Sequence, residues 1–173
     1  MAERPKQREL SDVIKGLWDK SKVYVISAAI ALGTGALSGL LSGNIGGNNS
    51  FESLIKSPLS PPPALFPIVW TVLYTLMGVS SAMVLKADRP EKTRGLILYA
   101  IQLGFNFFWS IFFFRLEWRL FAFIWLVALV LLVAAMIYEF WKSSKAAALL
   151  QLPYLAWLLF AGYLNLAIYL LNR

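Results

Sequence analysis

The chain has 173 residues, 59% of them hydrophobic, with no cysteine, no histidine and a formal net charge of +7. That apolar fraction exceeds what a soluble domain carries, and the composition excludes disulfides, thiolate chemistry and imidazole acid–base or metal chemistry. The basic surplus is read against lipid headgroups, because nothing in the chain resembles a nucleic-acid-binding module.

Residues 1–22 read as a separate, basic amphipathic segment. Leu10, Val13, Ile14, Leu17 and Trp18 follow the i, i+3, i+4, i+7, i+8 pattern of one helical face. The pattern predicts a helix lying in the membrane interface with Trp18 at headgroup depth, or, as the alternative, a partner-docking helix. The first apolar run, 23–41, follows a tail of mixed charge and lacks a cleavage site, so it reads as a retained span. Ala31, Gly35, Gly39 and Gly43 recur every four residues along it. Such a face predicts close packing on another helix of the same bundle, with a dimer contact as the alternative. In the loop 43–60, Gly46, Gly47, Asn48, Asn49 and Ser50 predict a flexible start, and 51–56 one short helix. The run Ser57-Pro58-Leu59-Ser60-Pro61-Pro62-Pro63 then pre-orders an extended approach to the second span.

Four further apolar runs occupy 64–85, 95–114, 120–138 and 146–171. A span needs about 20 helical residues to cross about 30 Å of hydrocarbon. Helices satisfy their own backbone in lipid, and the short alternating segments of a barrel are missing. The turns at 86–94, 115–119 and 142–145 are short, so neighbouring helices are antiparallel. The expected fold is an all-α integral membrane protein. It is a bundle of five transmembrane helices, 23–173, with the amphipathic segment 1–22 ahead of it. Twelve Lys and Arg fall in the tail, second loop and fourth loop, against four on the other side. The positive-inside rule then places the N-terminus in the cytoplasm and the C-terminus outside. With no cysteine, a bacterial inner membrane is the expected location, and an organelle membrane the alternative.

No acid or base lies deep in a span; Glu117 falls in a turn and Glu139 at a span end. Ion-coupled carriers need intramembrane ionisable groups, and hydrolases need carboxylate, nucleophile–base or metal constellations. The spans carry stripes of aromatic and amide side chains instead. These are Phe66, Trp70, Tyr74 and Met77; Gln102, Asn106, Trp109 and Phe113; and Tyr154, Trp157, Ala161 and Asn165. Two readings stand at this point. The stripes only pack and mark interfaces, with amides gluing helices together. Or they wall a cavity for a large, flat, apolar molecule with a polar edge.

The segment Trp70-Thr-Val-Leu-Tyr74-Thr-Leu-Met77-Gly78 resembles the second span of the translocator protein family, also called tryptophan-rich sensory proteins or peripheral benzodiazepine receptors. Gln102-Leu-Gly-Phe-Asn106-Phe-Phe-Trp109, with Phe112-Phe113, resembles its third span. Pro153-Tyr154-Leu-Ala-Trp157-Leu-Leu-Phe-Ala161, with Leu164-Asn165, resembles its fifth. The similarity runs from Lys56 to the C-terminus in the family's order.

This resemblance implies a five-helix bundle, often a homodimer, that binds porphyrins such as protoporphyrin IX and benzodiazepine- or isoquinoline-type drugs between its helices. Cholesterol binding belongs to the animal members. Carried over by motif, Trp70, Asn106, Trp109, Trp157 and Ala161 line the pocket, and Tyr74 and Tyr154 sit in the same motifs. Trp70 and Trp157 match the tryptophans tied to light-dependent porphyrin breakdown in bacterial members, which implies a photochemical role for both. The chain departs from the pattern at Ser60, where the family has Trp. It departs again at Leu166 and Leu170, where the cholesterol-recognition pattern has Tyr and Arg; Leu166, Tyr169 and Arg173 satisfy that loose pattern in a shifted register.

Three functions are expected from this reading. The first is a membrane receptor for tetrapyrroles, linked to stress signalling. Without histidine, metal-free porphyrin or haem held without imidazole is the ligand, and no resident metal or cofactor is required. The second is light- and oxygen-dependent porphyrin degradation. The third is a transporter of porphyrin or of a lipid such as a sterol. Membrane lipids are partners in each, and nucleic acid in none.

Overall fold

Five helices long and apolar enough to cross a membrane run through the described part of the chain in this computed structural model. It describes the backbone of residues 5–43 and 49–173 and the side chains of residues 21–43 and 51–173. The elements are α1 (Pro5–Leu41), α2 (Asn49–Glu52), α3 (Leu65–Lys86), α4 (Lys92–Ser110), α5 (Arg119–Ser143), α6 (Lys145–Leu149) and α7 (Leu152–Leu171). A π-helical turn, Ile111–Arg115, prolongs α4. The expected all-α, five-span architecture is therefore present.

Several boundaries differ from the sequence reading, each for a local reason. At the boundary read after residue 22 the helix continues, and α1 runs unbroken from Pro5 to Leu41. Nothing between Trp18 and Val23 stops a helix, since Asp, Lys and Ser all tolerate helical backbone. The stripe Leu10, Val13, Ile14, Leu17 and Trp18 lies outside the residues whose side chains are described, and most of the glycine- and asparagine-rich run 46–50 lies outside the described residues altogether. The short helix expected at 51–56 is a single turn, Asn49–Glu52. The fifth span is two helices. Ser144 adopts extended backbone, and its hydroxyl accepts from the Ala147 amide at 3.3 Å to start α6. Pro153 then opens α7, where its missing N–H costs nothing.

Close backbone approach fixes α1 on α3, the most extensive helix pair. A Cβ on Gly78 would run into the backbone of Ala28, and one on Gly35 into the Tyr74 ring. At Gly35 the small face is thus occupied by the chain's own α3, as its packing reading expected. Gly43 ends α1 with φ 75°, the left-handed conformation that glycine adopts freely. Arg115 Nη1 donates to the exposed carbonyl of Leu41 at 3.1 Å, and Ser38 Oγ to Phe107 O at 2.8 Å, tying α1 to α4.

Helix α5 is apolar all round, so its sequence does not announce a face. Packing selects Leu126, Leu129, Val133, Met136 and Phe140, spaced three and four apart, as its buried stripe. The helix pairs run α3 on α1, α1 on α4, α4 on α5 and α5 on α7. α6 closes the bundle against α3 at one end, where Ser80 Oγ donates to Ala147 O at 2.9 Å. Beyond α6, α7 is not among the helices packed closely on α3, and side chains span the seam between them.

Gln151, at the junction of α6 and α7, is fully buried, and both its amide atoms lack a partner among the described residues. A lone buried amide is costly, and an apolar side chain of similar size avoids that cost. Gln151→Leu is therefore expected to stabilise by about 1 kcal/mol, raising the apparent Tm in detergent by roughly 2–4 °C. A lowered Tm would mean that the amide is satisfied in the native protein.

Candidate functional site

The stripes converge where α3, α4 and α7 face one another. Tyr74 and Asn106 each stand one turn from a second stripe member, Trp70 on α3 and Gln102 on α4, because residues four apart share a helical face. Tyr154 enters from the first turn of α7, just behind Pro153. Asn106 Nδ2 donates to Tyr154 Oη at 2.8 Å, and Tyr154 Oη donates to Gln102 Oε1 at 2.9 Å. A longer bond of 3.4 Å runs from Tyr74 Oη to Asn106 Oδ1, and Gln102 Nε2 approaches Met77 Sδ at 3.9 Å. Gln102 and Tyr154 are fully buried, and Tyr74 and Asn106 nearly so. Buried tyrosine and amide groups in lipid need partners, and here they supply one another.

Trp70 forms one wall of this cluster. Its ring lies 5.5 Å from Tyr74 and 6.4 Å from Tyr154, centroid to centroid. Trp157 lies on the α3–α7 seam, edge-on to Phe66 at 5.9 Å and 5.7 Å from Phe160. Ala161, one turn on, is half-buried against the same core. The loop ahead of α3 is tied to the second half of α7. Ser57 Oγ and Tyr163 Oη are 2.7 Å apart, and Ile55 exchanges two 2.9 Å hydrogen bonds with the Asn172 side chain.

The structure thus brings Trp70, Tyr74, Asn106 and Tyr154 together and sets Trp157 and Ala161 along the adjoining seam. Trp109 is turned elsewhere. It stacks on Phe113 at 5.2 Å and donates from Nε1 to Asn165 Oδ1 at 3.3 Å, while Asn165 Nδ2 donates to Arg119 O at 2.9 Å. It joins the main core to a smaller one of Phe113, Ala122 and Ile168. Gln102 and Phe66, expected only as stripe members, belong to the cluster and the seam. Ser57 and Tyr163 carried no periodic signal, since the contact links a loop to a helix 106 residues away.

The site is polar in the middle and aromatic at its rim. One N–H and one lone pair of the Asn106 amide are left over after the bonds to Tyr154 and Tyr74, so its hydrogen-bonding capacity is not exhausted. Aromatic faces at Trp70, Phe66 and Trp157 suit a flat apolar partner. Together, fold and site define a five-span, multi-pass integral membrane protein with an interhelical aromatic–amide cluster. The model of the TspO/MBR family matches residues 25–171, and the chain belongs to that family.

Its relatives include the tryptophan-rich protein TspO of Archaeoglobus fulgidus, 42% identical over 99 residues, covering 57% of this chain and 64% of that one. The translocator protein homolog of Schizosaccharomyces pombe is 40% identical over 103 residues, covering 57% and 63%. The translocator protein of Bos taurus is 38% identical over 95 residues, covering 53% and 56%. The chain thus spans somewhat less than two thirds of the length of these curated relatives.

Proposed function

We propose that this protein is a membrane receptor for porphyrins, protoporphyrin IX in the first place, held at the α3–α7 seam. One observation carries the reading: an amide with spare hydrogen-bonding capacity, Asn106, bonds two tyrosines whose rings Trp70 flanks. The apolar macrocycle would lie against Trp70 and Trp157, with its polar edge toward Asn106. Phe66 and Phe160 widen the apolar wall. The TspO names of the relatives and the membership in the TspO/MBR family agree with a binding role. A cytoplasmic N-terminus, a bacterial inner membrane and a homodimer complete the proposal. Porphyrin or lipid transport is the alternative. Titration of the purified protein with protoporphyrin IX is expected to quench its tryptophan fluorescence, in detergent and in lipid. Unchanged emission in both would sink the reading.

A second reading rests on the ring contacts of Trp70. An indole is an oxidisable donor, and two tyrosines stand within 6.4 Å of this one to share a radical. Light-driven loss of bound porphyrin would then run through Trp70 and Trp157. Trp70→Phe and Trp157→Phe keep an aromatic wall, so binding is expected to persist while photodegradation slows. Decay of the porphyrin's main absorption band at the wild-type rate in both variants would remove this role and leave binding intact.

A further inference from the structure

We propose a second binding site, a phosphate-oxyanion cradle at the α4–α5 turn that takes the headgroup of an anionic phospholipid. A cavity of about 290 Å³ opens there, between the turn and the end of α7. None of its lining residues belongs to the aromatic–amide cluster. Two arginines, Arg119 and Arg173, line it, together with Trp118 and Tyr169.

The backbone adds to those charges. Helix α5 is 25 residues long and starts at Arg119 without a side-chain cap. The amide of Arg119 bonds Glu117 O and that of Ala122 bonds Trp118 O. Between them, the amides of Leu120 and Phe121 have no acceptor within the helix, and both residues line the cavity. First-turn amides and the positive end of a long helix favour an anion. Glu117, at φ 55°, makes the sharp turn that brings α5 back against α4.

The one acidic side chain lining the cavity, Glu117, pairs with Arg119 at 3.2 Å. Its side chain is 45% exposed against 19% for Arg119, so it is the carboxylate that can turn to solvent while the guanidinium stays. A guanidinium has five donors, and this pair uses one of them. Guanidinium forks bind phosphate bidentately, which a single carboxylate does not exhaust. Trp118 and Phe121 are exposed beside the cavity, where α5 enters the span. Exposed aromatics at that depth suit the boundary between headgroup and acyl chains, which favours a lipid over a free anion.

Native mass spectrometry of the full chain in detergent tests this with three probes: dioleoylphosphatidylglycerol, dioleoylglycerol, which lacks the phosphate, and inorganic phosphate. The wild type is expected to retain phosphatidylglycerol about tenfold better than the diglyceride, as one charge-assisted contact would give. Arg119→Gln and Arg173→Gln should each lose most of that preference, and Glu117→Gln should increase it by removing the competing acid. If Arg119→Gln fails to fold, the other two variants carry the test. Inorganic phosphate bound as well as the phospholipid, with the same response to the variants, would support the cradle and name soluble phosphate as its source. Equal retention of the two lipids, or a preference unmoved by the variants, would overturn the proposal.

Discussion

Gly78→Val is expected to be the most damaging single substitution in this bundle. The first atom it adds meets the backbone of Ala28 and the carbonyl oxygen of Ser27, and backbone cannot move aside as a side chain can. Helices α1 and α3 would have to separate along their most extensive contact. In lipid no hydrophobic force restores such a contact, because association rests on close packing. Overpacking of this kind costs about 3 kcal/mol. For a chain of this size that is roughly 6–12 °C of apparent Tm. Gly33 has open space around its own Cβ position, so Gly33→Ala is the matched control and should leave Tm unchanged or slightly raised. Thermal melts in detergent that show equal effects for the two would contradict the packing described for α1.

Asn106→Leu is expected to separate the site's polar centre from its aromatic rim. The substitution keeps the branched heavy-atom shape and removes the bonds to Tyr154 and Tyr74. Interhelical hydrogen bonds in membranes contribute about 1 kcal/mol, so stability should fall only modestly. Porphyrin affinity should fall further, by about tenfold or more, because the ligand's polar edge loses its partner in a dry site. Ser80→Ala removes a buried interhelical bond remote from the cluster and should cost similar stability with no change in affinity. Equal affinity in Asn106→Leu and wild type would place the ligand away from the amide.

The five spans were legible because a hydrocarbon core demands long uncharged helices and the chain has no other way to supply them. The site was legible where residue chemistry is rare in lipid: the amides of Gln102 and Asn106 and the tyrosines Tyr74 and Tyr154 stand out in apolar runs, and they meet. Trp109 sits apart from the amide–tyrosine cluster. It shares a helical face with Asn106, yet Asn165 takes its indole N–H toward the far end of α7. The π-helical turn at Ile111–Arg115 was invisible, since phenylalanine and isoleucine carry no signal for it. So was the buried face of α5, whose apolar residues surround the helix. The continuity of α1 through residue 22 follows from the lack of a breaker, a weaker signal than the change in composition that suggested a boundary there. The contact of Ser57 with Tyr163 depends on how a proline-rich loop lies over α7, which no local pattern encodes.

We propose that a macrocycle binds between the helices at the α3–α7 seam. The most direct measurement is an experimental structure of the full chain with protoporphyrin IX bound. The ring is expected between Trp70 and Trp157, with its polar edge toward Asn106 and Tyr154. A macrocycle seated on the lipid-facing aromatics Phe108, Trp118 and Phe121, with the Tyr74–Asn106–Tyr154 cluster untouched, would contradict it.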